Sequence, residues 1–151
     1  MTSLTTSTQY LLPPGLPELH RQSVEWESTL ALWKEELDFF TRLILKYRHE
    51  LRTRTQIQEL NHIRFLLDYY ANELIPILEV RLATQKAQLR ALMEPQELQD
   101  ESRCRRAHAE LAEQMNSFAK EFACFRDELY ALIEKAVERT KAGAEVFETA
   151  S

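Results

Sequence analysis

The sequence is poor in the residues that form turns. Of its 151 residues only two are glycines, Gly15 and Gly143, and the five prolines are Pro13, Pro14, Pro17, Pro76 and Pro95. Hairpins and tight loops depend on these two residue types, so most of the chain lacks what a β-rich or loop-rich fold requires. The composition therefore predicts a few long helices.

Cysteine is also scarce. Cys104 and Cys124 are twenty residues apart in a segment predicted below to be one helix, which separates them by about 30 Å and prevents a disulfide between them. Free thiols suit a reducing compartment. The first twenty residues contain no basic stretch followed by an apolar run of signal-peptide length. We therefore expect a cytoplasmic protein.

Long apolar runs and an excess of positive charge are missing as well. No span of 18 apolar residues occurs, which argues against a transmembrane segment. The net charge of −5 provides no field that would attract nucleic acid or an anionic membrane. We expect the chain to bind neither. Its 44% hydrophobic residues are enough for the core of one domain.

The chain does contain three apolar seams whose members recur at steps of three and four, the spacing of an amphipathic helix. The first seam is Trp26, Leu30, Trp33, Leu37, Phe40, Ile44 and Tyr47. The second is Leu60, Ile63, Leu67, Tyr70, Leu74 and Ile77, continued by Leu78, Leu82, Gln85, Leu89 and Leu92. The third is Cys104, His108, Leu111, Met115, Phe118, Phe122, Phe125, Leu129, Leu132 and Ala136.

These seams predict an all-α fold with helices at about 17–52, 56–93 and 100–146. Residues 1–16 are predicted to be a disordered or extended tail, and residues 17–148 a single bundle domain. Short connections force neighbouring helices to run antiparallel. We therefore predict an elongated, antiparallel, up-down-up three-helix coiled-coil bundle. Its central layers should hold Trp33, Leu37, Phe40, Leu67, Leu74, Phe118, Phe122 and Phe125.

Two local features refine this prediction. Thr55 and Gln58 have the spacing of a capping box, which predicts the start of the second helix. The second seam slips by one residue between Ile77 and Leu78, beside Pro76. Because proline lacks a backbone donor and clashes with the preceding turn, we expect a kink or bulge there that lets both halves face one core.

Candidate chemistry is sparse. None of the four histidines stands four residues from another, so the two-histidine clamp of helical metal sites is absent. Glu59 and His62 form one copy of the Glu-x-x-His pattern that di-iron bundles use twice. Cys104 and His108 are one helical turn apart, a spacing at which a thiol and an imidazole can act as nucleophile and base. The interpretation we favour is that they form a polar layer near the end of the bundle. We predict no catalytic, cofactor-binding or metal-binding residue.

A second apolar line lies outside the seams. The first helix carries Leu32, Phe39 and Leu43 there, and the second carries Phe65, Leu66 and Tyr69. Three candidates could cover this second apolar line: residues 10–16 folded back as a lid, a second copy of the chain, or another protein. We favour a homodimer across the outer faces of helices one and two. The predicted partner-binding residues are Leu32, Phe39, Leu43, Leu66 and Tyr69.

The stretch "LHRQSVEWESTLALWKEELDFFTRLI" resembles the opening of small bacterial helical-bundle proteins that share an L-H start, spaced tryptophans and an E-L-x-F-F segment. That family has no assigned activity, so the resemblance implies a helical fold and no function. The seams themselves favour a non-enzymatic interaction or scaffold protein. A carboxylate/histidine metal-binding protein that uses Glu59 and His62 is the alternative, and binding of an apolar ligand between the helices is a third possibility.

Overall fold

The computed structural model describes residues 14–94 and 100–150, and the side chains of residues 14–94 and 100–144. All regular secondary structure in these residues is helical, and three helices pack together, which confirms the all-α prediction. The elements are α1 (Leu16–Tyr47), a 3₁₀ turn (Arg48–Glu50), α2 (Arg54–Tyr69), a π-helical segment (Tyr70–Leu74), α3 (Ile75–Leu92) and α4 (Glu101–Ala150). We call the continuous run from α2 through the π-helical segment to α3 the middle arm.

Helix α1 begins and ends earlier than the sequence predicts. Gly15 precedes its first residue, Pro17 stands in the first turn, and Glu18 complements the helix dipole there. The chain leaves α1 at Tyr47 and tightens into the 3₁₀ turn. Leu51 then adopts an extended conformation and its side chain is buried in the core. This change of backbone conformation at Leu51 ends the helical run before residue 52. Of the predicted tail, residues 1–13 lie outside the described part of the chain.

Helix α2 starts with a capping box two residues before the predicted one. The Thr53 side chain accepts a hydrogen bond from the backbone N–H of Gln56 at 3.1 Å. The Gln56 side-chain oxygen accepts one from the backbone N–H of Thr53 at 3.3 Å. The prediction of Thr55 and Gln58 was wrong because both pairs share the same spacing, and only the earlier one follows directly on the turn at Leu51.

The middle arm contains the bulge expected beside Pro76, although the register changes earlier than predicted. The backbone N–H of Ile75 bonds to the carbonyl of Tyr70, so the buried position after Tyr70 is Ile75, five residues on. Leu74 is consequently half-buried and Ile77 is exposed. Both were assigned to the seam because a regular helix would continue in steps of three and four.

The main core is built around aromatic rings. Trp33 of α1 packs edge-on against Phe118 of α4 with ring centroids 4.9 Å apart, and Tyr70 of the middle arm packs against Phe118 at 5.1 Å. Phe40 and Phe125 meet at 6.1 Å. Such pairs contribute about 0.5 to 1.5 kcal/mol beyond the burial of their surface. Apart from Leu74, every residue predicted for the central layers is buried.

A layer of polar side chains interrupts this core. Ser23, Gln85 and His108 are all buried, one from each helix of the bundle. The Ser23 hydroxyl donates to the Leu19 carbonyl oxygen at 3.0 Å. Beyond this layer is a separate end cluster that consists of the buried residues Leu19, Leu89 and Cys104 with Leu16 and Leu92 packed against them. The apolar interior is thus divided into a large main core and a small end cluster.

Ion pairs on the surface connect the three helices. Helix α1 pairs with α3 through Glu27 with Lys86 at 2.6 Å and Lys34 with Glu79 at 3.3 Å. Exposed pairs of this kind contribute about 0 to 1 kcal/mol each, so the aromatic core, rather than these contacts, supplies most of the stability. Across residues 14–94 and 100–150, none of the helices carries an apolar stretch long enough to cross a lipid bilayer.

Candidate functional site

The three predicted partner-binding residues of α1 lie along the edge of that helix nearest α4. Leu32 and Phe39 are 56% and 46% exposed, whereas Leu43 is partly buried against the main core. Glu36 occupies the same helical stripe, between Leu32 and Phe39. Its carboxylate accepts two hydrogen bonds from Arg126 of α4, at 3.0 and 2.7 Å. This stripe therefore borders α4 and carries a charged pair in its middle.

The two predicted residues of α2, Leu66 and Tyr69, belong to a different stripe. They continue the three-four spacing of Glu59 and His62, and Glu59 pairs with Lys135 of α4 at 3.7 Å. Tyr69 is 39% exposed, and Leu66 is partly buried against the main core. The α2 stripe therefore also borders α4.

The two stripes lie on opposite sides of α4. Arg126 contacts the α1 stripe and Lys135 contacts the α2 stripe. These two residues are nine positions apart along α4, which is two and a half turns at about 100° per residue, so they lie on opposite faces of that helix. The structure therefore does not bring the predicted residues of helices one and two together on one surface. Leu43 and Leu66 instead widen the buried face of their helices, as a three-helix core allows.

The largest exposed apolar side chains of the middle arm lie along its outer surface. Phe65 is 70% exposed, Val80 67% and Ile77 47%. Ile77 and Val80 border a surface depression of about 510 Å³, whose other lining residues are Asn72, Glu73, Pro76 and Arg81. We call the surface formed by Phe65, Tyr69, Pro76, Ile77 and Val80 the middle-arm patch.

The sequence places Phe65 and Tyr69 outside the seams but does not reveal the second half of this patch. Regular spacing assigns Ile77 to the core, and Val80 carries no distinguishing signal of its own. The signal for Ile77 and Val80 is the apolar pair Tyr70 and Ile75, five residues apart, directly before Pro76. A π turn at this place adds one residue to the helix, so the residues after it face a different direction from the one that regular spacing predicts.

The outer face of α3 is also poor in charge. Its exposed residues from 77 to 90 are Ile77, Val80, Arg81, Ala83, Thr84, Ala87, Gln88 and Arg90. Only two of these eight are charged. On α4, by contrast, acidic and basic side chains recur on most exposed turns. The middle-arm patch therefore continues into a weakly charged surface, and a groove of about 820 Å³ between α3 and α4, lined by Val80, Arg81, Thr84 and Gln88 among others, runs along its edge.

Glu59 and His62 lie at a second depression, of about 270 Å³, which Glu128 of α4 also lines. His62 is exposed, and the Glu59 carboxylate is shared with Lys135. Among the described residues, no group of three histidine, cysteine, aspartate or glutamate side chains is arranged to hold a metal ion. Glu59 and His62 thus provide two potential metal ligands, and the ammonium group of Lys135 competes with a metal ion for the Glu59 carboxylate.

Cys104 and His108 each bond to a different partner. The Gln85 amide donates to the Cys104 carbonyl oxygen at 3.0 Å and lies 3.4 Å from its sulfur. His108 Nε2 lies 2.7 Å from the Gln22 side-chain oxygen, and its ring stacks on Trp26 with centroids 4.7 Å apart. Burial raises the pKa of the Cys104 thiol and lowers the pKa of His108. Both shifts disfavour a thiolate–imidazolium pair.

Comparison with known proteins adds no assignment to this geometry. No family model, no curated protein and no solved structure matches the chain.

Proposed function

We propose that this protein is a non-enzymatic helical bundle that acts by binding another protein chain, as an interaction or scaffold protein. The observation that carries the proposal is the exposure of large apolar side chains in stripes on helices whose opposite faces form a dense aromatic core. Contiguous apolar patches larger than a few hundred Å² are rare on monomeric soluble proteins and commonly mark contacts with other proteins.

We further propose that the three helices run up-down-up, as the seams predict. From Glu27 to Lys34, the ion-pair partners on the middle arm go down the sequence, from Lys86 to Glu79. This supports an antiparallel pairing of these two helices. Arg126 of α4 pairs with Glu36 of α1, and Arg139 pairs with Glu50 of the 3₁₀ turn that follows α1. The residue numbers increase together on both sides, which supports a parallel pairing of α1 and α4. At 1.5 Å per residue, α1 alone would provide a rigid side about 48 Å long.

The shape of the exposed apolar surface favours a protein over a small molecule as partner. Small ligands bind in concave pockets that enclose most of their surface. Phe65, Phe39 and Leu32 instead stand on the convex outer sides of helices. A helix or a bundle face laid along such a side can cover several of these side chains at once. The predicted homodimer and the cytoplasmic location belong to this proposal.

Site-specific crosslinking in the native cell tests the proposed function. A photo-reactive amino acid at Phe39, Tyr69 or Val80 should give discrete crosslinks to a protein chain. The same group at exposed, charged Lys120 of α4 serves as the matched control and should give few. If none of the three apolar positions crosslinks to any protein above the level at Lys120, the proposed function is wrong.

A metal-binding role for Glu59 and His62 is the second candidate, because both residues and Glu128 line one depression. Elemental analysis of purified protein tests it. Stoichiometric metal that is lost in His62→Ala and kept in His49→Ala would make this role the better one, since His49 lies outside that depression.

A further inference from the structure

We propose that a second copy of this chain docks on the middle-arm patch, with a twofold axis at Ile77. In this homodimer, Glu73 of each copy pairs with Arg81 of the other. The inference rests on the proposed function, since it names the partner for one of the exposed surfaces. It also relocates the interface that the sequence suggested, from the outer faces of helices one and two together to the outer side of the middle arm alone, and it keeps Tyr69 of the predicted residues.

The positions of Glu73, Ile77 and Arg81 along the helix determine where the axis lies. Glu73 is four residues before Ile77, and Arg81 is four residues after it. A twofold axis perpendicular to the arm at Ile77 reverses the direction of the second copy, so a residue n positions before Ile77 faces one n positions after it. Glu73 then faces Arg81 twice, once on each side of the axis. An axis at Glu73 would bring two carboxylates together, which is unfavourable.

Both charges are available for a partner. Glu73 and Arg81 border the same 510 Å³ depression as Ile77. Within residues 14–94 and 100–144, neither side chain takes part in an ion pair. Their neighbours on the inner side of the arm, Glu79 and Lys86, are by contrast bound to α1. Glu73 and Arg81 are therefore available to a second chain, although Arg81 also lines a groove of about 820 Å³ that Asp100, directly before α4, and Glu110 of α4 border.

The apolar area of the patch suits a standard interface. With about 200 Å² for a fully exposed aromatic side chain, the exposed fractions of Phe65, Tyr69, Ile77 and Val80 correspond to about 400 Å² on each copy. If this patch supplied all the apolar area of an interface that is roughly 57% apolar, the interface would bury about 700 Å² per copy, or about 1,400 Å² in total. This lies within the range of specific protein–protein interfaces.

The surface beyond the axis can accept the partner's aromatic ring. Phe65 is twelve residues before Ile77, so in the second copy it reaches the end of α3. The exposed residues around position 89 are Ala87, Gln88 and Arg90, and none of them is a large apolar side chain that would block the ring. The α1 stripe is a poorer surface for a second copy, because Glu36 and Arg126 form a charged pair in its middle.

Charge reversal tests the dimer. The masses of full-length wild type, Glu73→Arg, Arg81→Glu and the double variant should be measured by light scattering from 1 to 200 μM. We expect a dimer for wild type and a dissociation constant at least tenfold higher for each single variant, because like charges then meet at both ends of the interface. The double variant should dimerise again, and an equimolar mixture of the two single variants should form the heterodimer.

Control variants on α4 test whether the effect of charge reversal is specific to the proposed interface. Glu113→Arg and Arg106→Glu on exposed positions of α4 make the same charge changes and should leave the dimer unaffected. All variants should keep the circular dichroism of wild type. A monomer at every concentration, or a dimer that survives both single reversals, would overturn this inference. A dimer broken by Phe39→Glu would place the interface elsewhere and leave the proposed function intact. Absence of all crosslinks in the cell would refute that function separately.

Discussion

The backbone N–H of Ile75 donates its hydrogen bond to the carbonyl of Tyr70, five residues earlier, where a regular α-helix would use the fourth. Such a π turn amounts to one extra residue in the helix. Pro76 follows at once, and a proline inside a regular helix clashes with the carbonyl four residues before it. The wide turn relieves that clash while Tyr70 and Ile75 both remain buried.

Removal of the extra residue should therefore be tolerated. We expect deletion of exposed Asn72 combined with Pro76→Ala to leave a regular helix, because Tyr70 and the former Ile75 then stand four apart and keep their core positions. The free energy of unfolding in urea should stay within about 1 kcal/mol of wild type. Deletion of exposed Ala83 with the same proline change is the control. It rotates Leu89 out of the core and should cost more than about 2 kcal/mol. Equal losses in both variants would contradict the inserted-residue interpretation.

The capping box at the start of α2 makes a second prediction. Thr53→Ala removes the acceptor for the Gln56 N–H and should lower the free energy of unfolding by about 1 kcal/mol. Thr55→Ala, two residues on, changes an exposed threonine outside the cap and should cost less than about 0.5 kcal/mol. Thermal unfolding of the two variants distinguishes them, and the reverse order of stability would contradict the observed cap.

His108 makes stability depend on pH. His108 Nε2 lies 2.7 Å from the Gln22 side-chain oxygen, and the buried Nδ1 has no hydrogen-bond partner among the described residues. Protonation places a charge on this buried ring, and burial lowers the pKa of His108 below its ordinary value of 6.5. Between the two pKa values the unfolded chain binds more protons than the native one. Stability is therefore constant above pH 6.5 and falls as the pH drops below it.

Urea unfolding at pH 7.5 and 5.5 measures this effect. The contribution of one such group is at most about 1.4 kcal/mol for each pH unit. We expect His108→Gln to lose less stability than wild type between these pH values, while His62→Gln, at an exposed histidine, behaves as wild type. An unchanged pH dependence in His108→Gln would show that another group is responsible.

Phe122 should be the most costly position of the aromatic core to truncate. Its ring is fully buried among those of Trp33, Phe40 and Phe118, and the Arg126 guanidinium lies 5.0 Å from its centroid. Phe122→Ala should lower the free energy of unfolding by about 3 to 5 kcal/mol. Leu45→Ala, at an exposed position of α1, should change it by less than about 0.5 kcal/mol. A loss below 1 kcal/mol at Phe122 would mean that the core repacks around the cavity.

The buried faces of α1 and α4 could be predicted from the sequence because their apolar spacing is uninterrupted. In α4, every seam residue from Cys104 to Ala136 is buried. In the middle arm, the predicted seam is correct up to Tyr70 and again from Leu78 to Leu89, all of whose seam residues are buried. Between them, regular spacing selects Leu74 and Ile77, whereas the five-residue step of the π turn buries Ile75 instead.

The candidate surface was harder to predict than the core. Spacing alone shows that Phe39 and Tyr69 lie off their seams, and both are exposed. It does not show which neighbour each stripe borders, because that depends on how the helices are arranged around one another. The two stripes therefore seemed to form one surface, although Arg126 and Lys135 mark them on opposite sides of α4.

The polar layer of Ser23, Gln85 and His108 has a consequence for how the native state fluctuates. Within residues 14–94 and 100–144, the side chains buried beyond it are Leu19, Leu89 and Cys104, so few apolar contacts among these residues hold that end of the molecule closed. Regions with little buried apolar surface open with a lower free energy than the whole fold. Backbone amides around Leu19 and Leu89 should therefore exchange their hydrogens through local opening of this end, while those around Phe122 exchange only when the entire molecule unfolds.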